Sequence, residues 1–144
     1  MKKIILILII LLSTLSTAQA DELAWTDFND KFKAGEIELN CRSLACAAKW
    51  GVNRPILRQL DSESDWYELA ELTAKLNQNG LLAYYYLAKS AIMLELYDAA
   101  DMYMDKSTYD GVDRSCILGT CEGIDINRAF LRFRFAIDES RKGN

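Results

Sequence analysis

The stretch Leu81-Leu82-Ala83-Tyr84-Tyr85-Tyr86-Leu87-Ala88-Lys89-Ser90-Ala91-Ile92-Met93-Leu94-Glu95 decides the fold. Leu82, Tyr85, Tyr86, Lys89, Ile92, Met93 and Leu96 fall along one side of a helix, and Tyr84, Leu87, Ala88 and Ala91 along another. A helix apolar on two faces belongs between neighbours. The chain supplies them on either side. Trp66, Leu69, Ala70, Thr73 and Leu76 recur at helical spacing until Asn79-Gly80 stops the run, and a further helix is predicted from about Asp98 to Ser107, carrying Ala99, Ala100, Met102, Tyr103 and Met104. Short links between such helices make antiparallel α-hairpins. Ala88, Ala91 and Ala100 let the arms approach closely, and the three consecutive tyrosines point in three directions, so two of them should face neighbouring helices.

Towards the N-terminus, residues 21 to 34 read as an amphipathic helix with Leu23 or Ala24, Phe28 and Phe32 on one side, Trp25 completing the stripe and Gly35 ending it. A short link from Glu36 to Asn40 leads to helical character over Ala45 to Trp50, ended by Gly51. Arg54 to Leu60 is predicted as a separate short helix entered through Pro55. Asp61 to Asp65 is then a polar connection. At the other end, Ile126, Ala129, Phe130, Phe133 and Ile137 keep the helix period up to Arg141, while Leu131 to Phe135 alternates like a strand. The helical surroundings favour helix. Arg128, Arg132, Arg134, Arg141 and Lys142 give this end a basic character and are expected on a solvated face.

Composition agrees with an all-α chain. After residue 20 there are 15 Leu and 14 Ala against 7 Ile, 2 Val and 4 Thr, with Pro55 the sole proline. Residues 1–20 themselves have a different character, with Lys2 and Lys3, an apolar run from Ile4 to Leu12, and a close on Ala18-Gln19-Ala20. This is the pattern of a secretory signal peptide, and the run is too short to hold the chain in a bilayer as a stable anchor. The mature protein is expected to begin at Asp21 as one domain, 21–144, in the periplasm. Without Lys2 and Lys3, 15 basic residues face 21 acidic ones, a net charge of −6 that makes nucleic acid and anionic membranes poor partners.

The four cysteines form two like-spaced pairs, Cys41-x4-Cys46 and Cys116-x4-Cys121. An exported chain with an even count points to two disulfides rather than a thiolate metal site. Positions five apart in a continuous helix lie roughly 8.6 Å apart at Cα, beyond the ~7 Å that a bridge spans. A local Cys41–Cys46 bridge therefore requires the helix to start between them, and Ser43 is the natural N-cap. Cross-pairing between the two motifs is the alternative.

No histidine is present, which removes Ser-His-Asp and Cys-His catalysis and imidazole zinc sites. No Ser-x-x-Lys occurs either. Asp61, Glu63, Asp65, Glu68 and Glu71 read as a charged helix entrance and miss the calcium-loop template. Neither catalysis nor a cofactor nor a metal is expected.

Ala83 to Ser107 resembles a tetratricopeptide repeat, a helix-turn-helix unit that stacks into α-hairpin arrays. Tyr84, Leu87, Ala88, Tyr97 and Ala100 stand at its large, small and turn positions, and Trp66-x2-Leu69-Ala70 echoes its start. Glu95, Met104 and Ser107 depart from the pattern. The resemblance, shared with small exported bacterial proteins, implies stacked antiparallel α-hairpins used for protein binding, with Leu82, Tyr85, Lys89, Ile92 and Met93 lining a concave partner-binding side. The expected function is a non-enzymatic interaction module of the envelope, an adaptor of an assembly such as a pilus or secretion system binding another envelope protein. An inhibitor or immunity protein acting on a delivered enzyme is the alternative.

Overall fold

A computed structural model describes residues 24–115 and 120–143. The expected signal segment, Leu23 and Cys116 lie outside the described residues. Helix α1 covers residues 24–33, followed by α2 (Leu44–Glu63), α3 (Trp66–Leu76), α4 (Leu81–Met93), α5 (Tyr97–Lys106) and α6 (Ile126–Lys142). The chain is all-α, its helices packed on one another. Between α5 and α6 lies one small hairpin, β1 (Thr120–Cys121) with β2 (Ile124–Asp125), antiparallel. Its turn residues Glu122 and Gly123 have φ of 54° and 85°, the positive pair that a two-residue hairpin turn requires.

Helix α4 is the central element, as its two-sided sequence predicts. Every residue from Leu81 to Ala88 is buried, and α3, α5 and α6 all pack against it. Two apolar clusters divide its faces. Tyr84, Leu87, Ala88 and Ala91 join Phe32, Ala70, Ala100, Tyr103 and Met104. Leu81, Leu82, Tyr85 and Tyr86 join Leu57, Leu69, Leu76 and Ile126. Of the residues that carry the repeat resemblance, Tyr84, Leu87, Ala88 and Ala100 are buried and Tyr97 is partly buried.

Three sequence expectations are corrected. The segments 45–50 and 54–60 are one helix, α2, running through Gly51 and Pro55, and Asp61, Ser62 and Glu63 of the expected polar connection form its last turn. Proline removes one hydrogen bond, to the carbonyl of Gly51, and Gly51 is exposed, so water can satisfy that carbonyl and the helix continues. Trp25 does not complete the α1 stripe, being half exposed, whereas Phe28 stacks on Phe32, which is fully buried. The link 36–40 is non-helical as expected, and within it Ile37 and Leu39 are buried. The alternation Ile37, Leu39, with Glu36, Glu38 and Asn40 outward, is the strand-like period applied to a single extended segment.

That segment is stitched to the α3–α4 link by backbone bonds. Cys41 N–H donates to Asn77 O and accepts at its carbonyl from Asn79 N–H, both at 2.9 Å. Asp113 bonds the same link from the other side, donating to Asn79 O and accepting from Leu81 N–H, each at 2.9 Å. Gly35 closes α1 with φ of +71°, and a Cβ there would stand 2.8 Å from Met102 Sδ. Both its left-handed backbone and its approach to α5 exclude larger residues.

Cys41 and Cys46 are bridged, with Cα atoms 6.1 Å apart, and Ser43 caps α2 by accepting from Cys46 N–H at 3.3 Å. Helix α2 thus starts between its two cysteines, and cross-pairing between the motifs does not occur. The second expected bridge, Cys116–Cys121, involves a residue outside those described.

Candidate functional site

The five residues expected to line a concave face do not form an open groove. Leu82 and Tyr85 are buried, Ile92 is partly buried against the core, Lys89 is tied into an ion pair, and Met93 alone is half exposed. Helix α6 fills the space where a partner was expected. The Tyr85 ring stacks on Phe133 with centroids 6.0 Å apart and meets Phe130 at 6.4 Å. Burial raises the pKa of the Tyr85 phenol, only partly offset by Lys89. The expectation of an accessible groove is therefore corrected for Leu82 and Tyr85: a hairpin pattern shows which residues leave the hairpin, but not that a later helix returns to cover them.

Of the five residues expected as a charged helix entrance, Asp61 and Glu63 instead lie in the last turn of α2, and three of the five have side-chain partners. Asp61 bonds Lys89, Glu63 accepts from Gln59 at 2.9 Å and Glu71 pairs with Lys75 at 2.7 Å. Among the described residues no group of three or more carboxylates or thiols is placed to hold a metal ion. The basic C-terminal residues divide. Arg134 bonds Asp101 at 3.0 Å and Asp105 at 2.8 Å, and Arg141 bonds Asp98 at 2.9 Å, clamping α6 to α5. Arg128 and Arg132 remain on the outer face beside exposed Leu131 and Phe135.

A cleft of about 550 Å³ lies between α2, the start of α4 and the β-hairpin. Trp50, Leu81, Leu82 and Cys121 make its apolar lining. Arg54 and Glu122 form an ion pair at its rim, the Glu122 side chain being only 10 % exposed. This pair neutralises Arg54, the cation that lines the cleft.

Among the described residues, the outer face of α2 carries a row of exposed aliphatic side chains. Leu57 is the sole residue of this 20-residue helix that is fully buried. Leu44 and Val52 are 89 % and 78 % exposed, and Ile56 is 49 % exposed. With Ala48 they form a row at i, i+4, i+8 and i+12, about 18 Å long and covering about a third of the helix circumference. Exposed Ala45 and Pro55 fall within its span. The sequence reading misses this row, because Gly51 and Pro55 there divide the segment into two helices. Treated as one helix, the spacing Leu44, Ala48, Val52, Ile56 exposes the signal.

No helix among the described residues is long and apolar enough to cross a membrane. The Cys41–Cys46 bridge fits an oxidising compartment. Comparison with protein-family models, curated proteins and solved structures gives no match to this chain.

Proposed function

We propose that the chain is a non-enzymatic protein-interaction module of the bacterial periplasm, an accessory or adaptor in an envelope assembly such as a pilus or secretion system. The observation that carries this reading is the apolar face of α2. Burying a side chain like Leu or Val stabilises by about 1.5–3 kcal/mol, so leaving three large aliphatics in water on one helix face forgoes stability that folding alone would collect. Contiguous exposed apolar surface of this kind marks a contact site. The signal-like residues 1–20 and the disulfide support export, and the repeat resemblance supports a binding role. Helix α2 replaces the concave side of α4 as the contact surface.

Affinity purification of the tagged mature chain from the periplasm tests the reading, with the Val52→Asp chain as control. The expected result is an envelope component recovered in near-equal amount by the wild type and lost with Val52→Asp. Recovery of an enzyme whose activity falls on binding would assign the inhibitor role instead, and recovery of nothing specific would remove the proposal.

A further inference from the structure

The charge around the α2 face identifies the chemistry of its partner. In a chain with 21 acidic and 17 basic residues, the segment from Cys41 to Leu60 holds Arg42, Lys49, Arg54 and Arg58, and the acids of α2 stand only in its last turn, where Asp61 pairs with Lys89 and Glu63 accepts from Gln59. Arg54 is paired with Glu122. Lys49 and Arg58 are exposed and make no ion pair among the described residues. At 100° per residue, Lys49 falls on one side of the Leu44–Val52–Ile56 row and Arg58 on the other. The apolar face is thus bordered by a cation on each flank.

We infer, resting on the interaction-module reading, that this face docks an amphipathic helix of another protein whose apolar stripe is flanked by aspartates and glutamates. Three occupants compete, and the residues separate them. A second copy of the chain docking face to face would set Lys49 and Arg58 against the same cations, a like-charge juxtaposition that costs rather than stabilises. A bilayer surface is engaged by helices rich in Trp, Phe and Leu on the apolar side, and of these this face has Leu44 alone. A partner helix suits what is present. Ala45, Ala48 and exposed Gly51, whose Cβ position has no neighbour within 4 Å, keep the surface low between the larger residues. The i±4 row can then seat in the groove of a facing helix at the roughly 8–10 Å axis separation of packed helices. Carboxylates on that helix would meet Lys49 and Arg58 at the rim, setting orientation and rate of association.

Photo-cross-linking from position 52 in the cells that export the chain tests the inference, with benzoylphenylalanine replacing Val52 and, as control, exposed Lys75. The expected product at position 52 is a peptide of another protein whose apolar residues recur every three to four positions with Asp or Glu beside them. Its yield should fall about tenfold with Lys49→Glu plus Arg58→Glu and persist with Lys49→Arg plus Arg58→Lys. Lys49→Glu alone is the second variant should the double reversal disturb folding, which circular dichroism reads. Cross-links to lipid or to a second copy overturn the inference. A protein partner that lacks flanking carboxylates, or is indifferent to charge reversal, overturns the inference and leaves the interaction-module reading standing. No cross-linked product at position 52 overturns both.

Discussion

The Lys89 ammonium bonds the Asp61 carboxylate across from α4 to α2 and lies 5.4 Å from the centre of the Trp66 ring and 5.9 Å from that of Tyr85. One cation joins the end of α2, the start of α3 and the middle of α4. Both partners' side chains are 22 % exposed, so the pair is neither a screened surface bridge nor a fully desolvated one. Lys89→Met, which keeps the aliphatic stem, is expected to cost about 1–2 kcal/mol, because Asp61 loses its partner and two rings lose their cation. Denaturant unfolding of Lys89→Met, Asp61→Asn and the double variant should show a coupling of about 1 kcal/mol. Strict additivity would mean that the pair contributes nothing.

Tyr85 belongs to the core, so its truncation should act on stability. The ring lies 6 % exposed among Tyr86, Phe130 and Phe133. Tyr85→Ala is expected to destabilise by about 3–5 kcal/mol and to loosen α6, visible as faster amide exchange over Ile126–Lys142. A melting temperature close to that of the wild type would show that α6 does not pack as described.

The Cys41–Cys46 bridge and the Ser43 cap act on the same helix start. Closing a six-residue loop stabilises by about 2 kcal/mol on chain-entropy grounds, and an N-cap serine by about 1 kcal/mol. Cys41→Ser with Cys46→Ser, and separately Ser43→Ala, should lower the denaturant midpoint, the first by more than the second. Non-reduced peptide mapping of the wild type should give Cys41 joined to Cys46 and, from the sequence, Cys116 joined to Cys121. Fragments linking the two motifs would contradict this.

Alkaline pH should unfold the chain through its buried tyrosines. Burial raises the phenol pKa of Tyr84, Tyr85, Tyr86 and Tyr103 above the ordinary value of 10.0. Tyr86 and Tyr103 are shifted furthest. A raised pKa in the folded state means the stabilising contribution is complete below the unfolded value and is lost as pH rises through the folded one. For a phenol, whose neutral form is the one the core accepts, stability should be flat up to about pH 10 and fall above it, with tyrosinate absorbance appearing together with loss of helical circular dichroism. Tyrosinate absorbance that rises fully while the helical signal is kept would show that the tyrosines are reached by water in the fold.

Much of the architecture is legible in the sequence because α3, α4, α5 and α6 each carry their own period. Leu82, Tyr85, Leu87 and Ala88 announce a helix buried on two sides without reference to any neighbour. The errors arise where tertiary context overrides a local signal. Gly51 and Pro55 punctuate a helix by their intrinsic preferences, yet α2 runs through both because its outer side faces water. Tyr85 and Leu82 leave the α4–α5 hairpin as expected, but what meets them is decided by α6, some 45 residues later in the chain. Ile37 and Leu39 stand in a segment too short for periodicity to register. The exposed row on α2 is hidden for the first of these reasons.

A contact surface on the outer face of α2 is tested most directly by one variant. Val52 is 78 % exposed, so Val52→Asp should change stability by no more than about 0.5 kcal/mol. Thermal unfolding and partner recovery measured on the same preparation separate the two properties. A docking face on α2 predicts an unchanged melting temperature with recovery of the envelope partner abolished. Undiminished recovery by a folded Val52→Asp chain would contradict it.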